Sequence, residues 1–481
     1  MEAQVEAHVR SAQDVRDLRS AMALLARSGA GPICVSEPIE ARCKLAAVYA
    51  AHGAGVPVAG PAQIGPALLF ERIMPADKRA LVGLFASRRD CALMLGTDER
   101  RMAETVLRAA NHPIPAAPAE RPACQEIIRR DVRLDELPIP TMTESDAGPF
   151  VTLGLVMASH PVTGERNVSI HRMWVKDIDE LTIWMVPGRD LERFHLAARE
   201  LGRPLAVSIN IGLDPAVYIA SCCTGALAPP GTDELAIAGG LRGRPVAVGA
   251  CVSVDANCIS DAEYVLEGLF THEYAPEGEP GGCSMPEFLG YDGKAHPNLP
   301  VIRVTAVTHR ANPIYQTVIG PGAEQSNLLA FGMEAAILKF IREHIAPIAV
   351  NAYCSTAGGG QLLAFIQLRK RGVQDDGVAR QAGAAVISAF RMVKQIVLVD
   401  EDVDLFNEQD VWWAMATRFQ ADADMIVIPS VQGFPLDPSQ QPGLSPGITA
   451  PGLTSKAVFD CTVPYLYRET FRRTSFSANL F

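Results

Sequence analysis

Apolar residues recur at two different spacings along the 481-residue chain, and the change of spacing divides it into parts. Over 11–28, Val15, Leu18, Met22 and Leu25 repeat at three- and four-residue intervals, which predicts one face of a helix. Gly29 and Gly31 follow as stop signals. Short apolar runs and further helical segments continue to about residue 110, the pattern of a small α/β domain. Four prolines in 112–123 (HPIPAAPAERPA) read as a linker or an extended crossing segment. From about 124 to 320 the texture changes. Runs rich in Val, Ile, Thr and Trp at 152–157, 181–186, 205–211, 245–254 and 301–307 alternate with turn residues, which predicts a mostly antiparallel sheet or barrel. A helix interrupts it at 190–201, with Asp190 as N-cap and Gly202 as stop.

Helical patterns at 324–343 and 376–391 then alternate with strand patterns at 346–353, 361–368 and 395–399. The Pro-, Gly- and Ser-rich stretch 430–453 predicts a long loop. The fold class is therefore mixed α/β (α+β), with expected domains at 1–115, 116–322 and 323–481.

Composition narrows the function classes. Hydrophobic residues make up 48% and charged residues 20%, which excludes wholesale disorder. The formal net charge of −11 disfavours nucleic acid or an anionic membrane as the main partner. Eleven cysteines without a CxxC pair read as reduced thiols. The opening MEAQVEAHVR lacks the pattern of a signal peptide, and no run of 18 apolar residues occurs. The expectation is a cytoplasmic protein.

Several segments hold residues with chemical potential. In NVSIHR, strand alternation puts Asn167, Ser169 and His171 on one face and Arg172 on the other. An Asn carbonyl oxygen suits a hard cation, while the plain alternative is a solvated edge strand. Glu234 follows a PPGT turn and reads as a loop acid. Glu263 and Glu267, four apart, read as a solvated acidic face. Glu277, Glu279 and Glu287 lie in a Gly- and Pro-rich loop, where paired carboxylates either split into an acid and a base or remain a mobile acidic loop. Phe288 and Leu289 would give Glu287 an apolar pocket, which raises a carboxyl pKa and suits a proton donor. Arg310, beside His309, suits a bidentate grip on a carboxylate, against a structural ion pair. Lys394 precedes an apolar strand and would meet a phosphate or lie on the surface. The run 357–360 (AGGG) reads as a turn, 400–404 (DEDVD) as solvated acids or a loop brace, and Cys222 and Cys223 as small buried residues.

Taken together, NVSIHR (167–172), ASCCTGALAPPGTDELAIAGGL (220–241), PEG and EFLGY (within 276–291), HRANPIYQ (309–316) and VKQIVLVDEDVDLFN (393–407) resemble the UbiD-like carboxy-lyase family in order and spacing. The resemblance implies an N-terminal α/β domain, a central split β-barrel of the FMN-binding type and a C-terminal α/β oligomerisation domain. It implies a reversible, non-oxidative decarboxylase of aromatic, heteroaromatic or α,β-unsaturated acids. Prenylated FMN, Mn²⁺ and K⁺ are the implied cofactors, a flavin prenyltransferase the implied supplier, and a dimer or hexamer the implied assembly. By resemblance, Asn167 and Glu234 match two metal ligands, and Asp190 stands where the family's third ligand, a His, is usual. Arg172, Glu277 and Glu287 match the Glu-Arg-Glu catalytic set, across a loop longer than the family's P-E-G-P-F-G-E segment. Asn167, Ser169, Ile170, Arg172, Arg189, Glu234 and Lys394 would contact the cofactor, and His309 and Arg310 the substrate. HRANPIYQ and EFLGYDG look nearest to members acting on furan- or pyrrole-type acids, with phenolic and larger unsaturated acids open. Two other classes compete: an FMN-dependent oxidoreductase, and a non-catalytic flavin-binding or assembly subunit of a multi-component carboxylase.

Overall fold

The computed structural model describes residues 12, 14–52, 65–223, 225–228, 233–279 and 281–474. They fall into two compact units, Met1–Gly332 and Met333–Phe481.

In the first unit, helix α1 (Leu18–Arg27) begins at Asp17, whose carboxylate accepts the Ser20 backbone N–H while Ser20 Oγ accepts the Asp17 N–H. This reciprocal cap satisfies two donors that a helix start leaves open. Val15, Leu18 and Leu25 are buried as their spacing predicts, and Leu24 joins them. The helix starts later than the predicted residue 11 because Asp17 supplies the cap. A small sheet follows, with Ile33–Val35, Leu68–Met74, Lys78–Val82 and Ile314–Gln316 side by side and Ile39–Glu40 against Leu68–Met74. Its strand Ile314–Gln316 comes from far along the chain and pairs in parallel with Lys78–Val82.

Six strands close into an antiparallel barrel: β1 (Phe150–Ser159), β2 (Arg166–Val175), β3 (Glu180–Ile183), β4 (Leu205–Ile211), β5 (Tyr264–Ala275) and β6 (Leu299–His309). Their order is β5-β4-β1-β2-β3-β6, and β6 pairs back with β5. Closure leaves no free edge among these six. Val156, Met173, Val207, Ile209, Leu266 and Ile302 fill the core. A Cβ at Gly154 would stand 2.7–2.8 Å from the side chains of Met173, Ile209 and Val151, so packing there requires glycine. The β1–β2 register slips between the pairs Val151↔Met173 and Gly154↔His171. Thr152 and Leu153 therefore face the single residue Arg172, and such a bulge re-aims the side chain opposite it.

Helix α2 (Asp190–Glu200) matches the predicted one, but Arg189 occupies the N-cap position and Asp190 is its first residue. Gly202 follows its end with φ +65°. On this helix His195 accepts or shares a proton with Tyr274 Oη at 3.1 Å. Burial, with Arg199 and His272 nearby, lowers its pKa from 6.5 to about 4. Between those values the unfolded chain binds a proton that the fold refuses, so His195 removes stability as pH falls through that window. His195→Gln is expected to narrow the loss of urea midpoint between pH 7 and pH 5; an unchanged difference would exclude this role.

Glu263 and Glu267 are not a solvated face: both are 0% exposed. Glu263 receives a two-pronged bond from Arg19, Nε at 2.6 Å and Nη2 at 2.8 Å, and the Ile314 N–H at 3.0 Å. Glu267 accepts the Val252 and Ser253 N–H groups and the Ser253 hydroxyl. Partners remote in sequence make their burial tolerable.

The second unit carries a sheet in the order Ala349–Cys354, Leu363–Leu368, Gln395–Asp400, Leu453–Asp460 and Met425–Gln432. Helices Gln374–Ala389 and Glu408–Arg418 accompany it, and Phe365, Val397, Val399, Val411 and Ala414 form part of its core. The predicted long loop links the last two strands. Residues 357–360 form a turn, with Gly359 and Gly360 at φ +63° and +74°. Asp400 and Asp402 both bind Arg418, at 3.2 and 2.6 Å, so the acidic run is a brace. Among the described residues no helix is long and apolar enough to cross a membrane.

Candidate functional site

Three ionisable side chains meet where β2 faces the hairpin Cys283–Pro286/Asp292–Lys294. Arg172 donates Nε to Glu277 Oε1 at 3.1 Å and Nη2 to Glu277 Oε2 at 3.0 Å. Its Nη1 donates to Glu287 Oε1. The fork occupies both oxygens of Glu277, which is 1% exposed. Glu277 is further fixed by its backbone N–H on the His296 carbonyl at 2.8 Å and by the His296 N–H on its Oε2 at 3.3 Å. Glu287 differs: only Oε1 accepts, and its side chain is 14% exposed. Of the two acids, Glu287 is the one with an oxygen left for chemistry.

The hairpin holds Glu287 through its own N–H on the Tyr291 carbonyl at 2.8 Å. A Cβ at Gly293 would lie 2.5 Å from Ser284 Oγ and the Met285 carbonyl, and 2.8 Å from Glu287 Oε1. Gly293→Ala is therefore expected to push the carboxylate aside and cut kcat by about 10- to 100-fold, the range for sub-ångström to 1 Å misplacement. The urea midpoint should change less than kcat does; unaltered kcat would exclude the tight fit as a determinant.

Beside this set, the Arg172 guanidinium lies 5.3 Å over the Trp184 ring, which stacks on His296 at 5.7 Å. Burial, then the Arg172 charge, lowers the His296 pKa. Neither aromatic residue is marked by a motif. Trp184 reads in sequence only as an apolar strand residue, and His296 as an isolated loop histidine.

The alternate face of β2 presents the predicted row. Ser169 Oγ lies 2.9 Å from both Asn167 Oδ1 and His171 Nε2. His171 Nδ1 is 3.1 Å from the Trp184 carbonyl. Burial lowers the His171 pKa to about 4, so the ring is neutral. Its one N–H donates to that carbonyl, so Nε2 and Asn167 Oδ1 share the single Ser169 hydroxyl hydrogen as acceptors. Ile170, half-buried, lies between these polar positions.

Glu234 opens the helix Glu234–Arg242, which Asp233 caps through the Ala236 N–H at 2.8 Å. It is no loop acid: Glu234 Oε2 accepts the Val168 N–H at 3.2 Å, and burial, with Asp233 and Asp190 adding negative charge, raises its pKa to about 8. Such an enclosed carboxylate is short of a cation. Asp190, exposed, pairs with Arg193 at 2.9 Å, and Arg189 is exposed beside it. Asn167, Glu234 and Asp190 together offer oxygen donors only, the set suited to a hard divalent ion. Among the described residues no group of three His, Cys, Asp or Glu side chains is placed to hold a metal ion.

The remaining expected residues have partners other than the Arg172 set. Arg310 binds Asp17 at 2.7 Å and approaches Glu263 at 3.5 Å, the ion pair that is the plain alternative to a substrate grip. His309 turns Nδ1 to the Arg310 carbonyl at 2.8 Å and its ring to Tyr264. Lys394, in the second unit, is taken up by Asp437 at 2.7 Å and by Ser439. Cys222 and Cys223 sit at the end of a buried helix, where burial raises both thiol pKa values, Cys222 to about 12.

Comparison with known proteins places this geometry. The N-terminal, Rift-related and C-terminal domain models of 3-octaprenyl-4-hydroxybenzoate carboxy-lyase match residues 35–110, 116–323 and 326–461. Gallate decarboxylase of Lactiplantibacillus plantarum is 39% identical over 452 residues, 91% of this chain and 92% of that protein. The apo 3,4-dihydroxybenzoic acid decarboxylase of Enterobacter cloacae superposes with a TM-score of 0.91 at 41% identity, covering 96% and 97% of the two chains. An evolved dimeric form of the UbiD-class enzyme HmfF of Pelotomaculum thermopropionicum, in complex with prFMN, superposes at 0.81 with 31% identity, covering 96% and 97%.

Proposed function

Because the chain belongs to the UbiD family of carboxy-lyases, we propose that it decarboxylates a ring-hydroxylated benzoic acid with prenylated FMN, using Glu287 as proton donor. The observation that carries this reading is the asymmetry of the two acids on Arg172. Glu277 is held at both oxygens, and Glu287 at one.

Loss of CO₂ from an sp² carbon leaves an electron pair that no side chain here can accept. Prenylated FMN, when bound, supplies that electron sink. The chain supplies position and protons. Asn167, Glu234 and Asp190 would hold Mn²⁺, which would give the half-buried Glu234 the counter-charge it lacks, and K⁺ belongs to the same proposal. Ser169, Ile170, Arg172 and Arg189 would contact the cofactor. Arg172 and Glu277 fix the Glu287 carboxyl, whose free oxygen delivers the proton to the carbon that CO₂ has left. In the reverse direction the same oxygen removes it.

The names carried by relatives at 39–41% identity favour a phenolic acid over the furan or pyrrole acid expected from local motifs. HRANPIYQ and EFLGYDG still favour the heteroaromatic acids as second reading. Cytoplasmic placement, a homo-oligomeric state and supply by a flavin prenyltransferase belong to the same proposal.

The test is production with a flavin prenyltransferase and Mn²⁺, followed by CO₂ release from gallate, 3,4-dihydroxybenzoate, furan-2-carboxylate and pyrrole-2-carboxylate. Turnover of the two phenolic acids is expected. Bound prenylated FMN with turnover of furan or pyrrole acids alone would overturn the substrate assignment. Chelation of the metal is expected to release the flavin together with activity; retention of both would remove the metal from this scheme.

A further inference from the structure

Three of the eleven cysteines gather outside the site. The antiparallel pair Ala247–Ala250/Asn257–Ile259 sets Cys258 opposite Gly249, so Cys251, two residues on, shares its face. A Cβ at Gly249 would stand 2.1 Å from Pro122 Cγ. The missing side chain lets the turn through Pro122 settle on the pair. That turn carries Cys124, whose N–H bonds the Ser260 carbonyl at 2.8 Å. As a result Cys124 Sγ lies 3.7 Å from Cys258 Sγ, and Gln125 Nε2 is 3.8 Å from the same sulfur. Cys251 is the diagonal neighbour of Cys258 across the pair. Cys124 and Cys258 are fully buried, and Cys251 is half-buried.

Cys258 is thus a sulfur ringed by donors. The Cys124 thiol, then the Cys251 thiol, lower its pKa below the ordinary thiol value, with the Gly249 backbone and Gln125 adding to the effect. The bond to Cys258, then burial, raises Cys124 and Cys251 above it. A thiolate is the nucleophile in thiol chemistry.

We propose that Cys251, Cys258 and Cys124 form a peroxide-responsive thiol relay that ends in a buried Cys124–Cys258 disulfide. Cys251, the outermost, passes its proton to the Cys258 thiolate and attacks a hydrogen or alkyl peroxide; its sulfur gains one oxygen, the O–O bond breaks, and an alcohol or water leaves with a proton from solvent. Cys258 then attacks that sulfenic sulfur, its proton joining the departing hydroxide as water, and gives Cys251–Cys258. Cys124 attacks the Cys258 sulfur, and its proton passes to the departing Cys251, which returns as a free thiol. Overall, two thiols and one peroxide become one disulfide, water, and an alcohol or a second water. The product pins the 122–125 turn to the pair beneath it.

The test exposes the full-length holoenzyme to hydrogen peroxide, blocks free thiols with N-ethylmaleimide and maps the peptides. A Cys124–Cys258 or Cys251–Cys258 link is expected, reversed by dithiothreitol. Cys251→Ser should slow Cys124–Cys258 formation at least tenfold, and Cys124→Ser should trap Cys251–Cys258. Cys258→Ser should abolish both links; if that variant does not fold, the other two still decide. Oxidation confined to the exposed Cys34, or links only between molecules, would overturn the proposal, as would an undiminished rate in Cys251→Ser.

Discussion

Replacing Glu287 by Gln is expected to leave a folded, flavin-loaded protein that turns over about 100- to 10,000-fold more slowly, the range for losing a positioned proton donor. The amide keeps an oxygen for Arg172 Nη1, so the local geometry survives. It has no acidic proton to give. The expected signature is therefore a fall in kcat with little change in bound flavin or in KM. Stopped activity with CO₂-dependent isotope exchange intact would place the lost step after decarboxylation, at protonation of carbon. An unchanged kcat would remove Glu287 from that role.

The second large effect is at Arg172. Among the described residues its guanidinium is the one cation in contact with Glu277 and Glu287, and both its side chain and that of Glu277 are at most 10% exposed. Arg172→Ala leaves two carboxylates facing each other without a counter-charge. Breaking a buried pair in this way costs about 3–5 kcal/mol. The midpoint of urea unfolding should fall accordingly, and activity should be lost as in the Glu287 variant. Arg172→Lys separates the two consequences. It restores a charge but not the fork to Glu277, so stability should recover more than turnover. Equal recovery of both would mean that the charge alone, not the planar geometry, serves catalysis.

How much of this was legible depends on where each residue's partners lie in the chain. The strand at 205–211 emerged with its predicted bounds because alternation along one segment encodes it. The split faces of Asn167–Arg172 were legible for the same reason. The acids of the 276–291 loop could be named, but not ranked by geometry. Their difference arises from Arg172, more than a hundred residues earlier, and from the backbone of His296. Glu263 misled the reading because its partner Arg19 is 244 positions away, so no local pattern signals its burial. Trp184 and His296 carry no motif; only the stacking geometry joins them to Arg172. Arg310 was suited to grip a substrate, yet Asp17 at the start of α1 takes it.

The strand Ile314–Gln316 also orders events in time. It completes the sheet begun by Lys78–Val82, across more than two hundred intervening residues. During synthesis the first hundred residues leave the ribosome with that edge unpaired, at the usual pace of about 5–20 residues per second. Closing so long a loop costs chain entropy that no local contact returns early. A nascent chain shorter than residue 314 thus presents an open β-edge to its neighbours, the surface that holding chaperones shield and that crowded polysomes join by mistake.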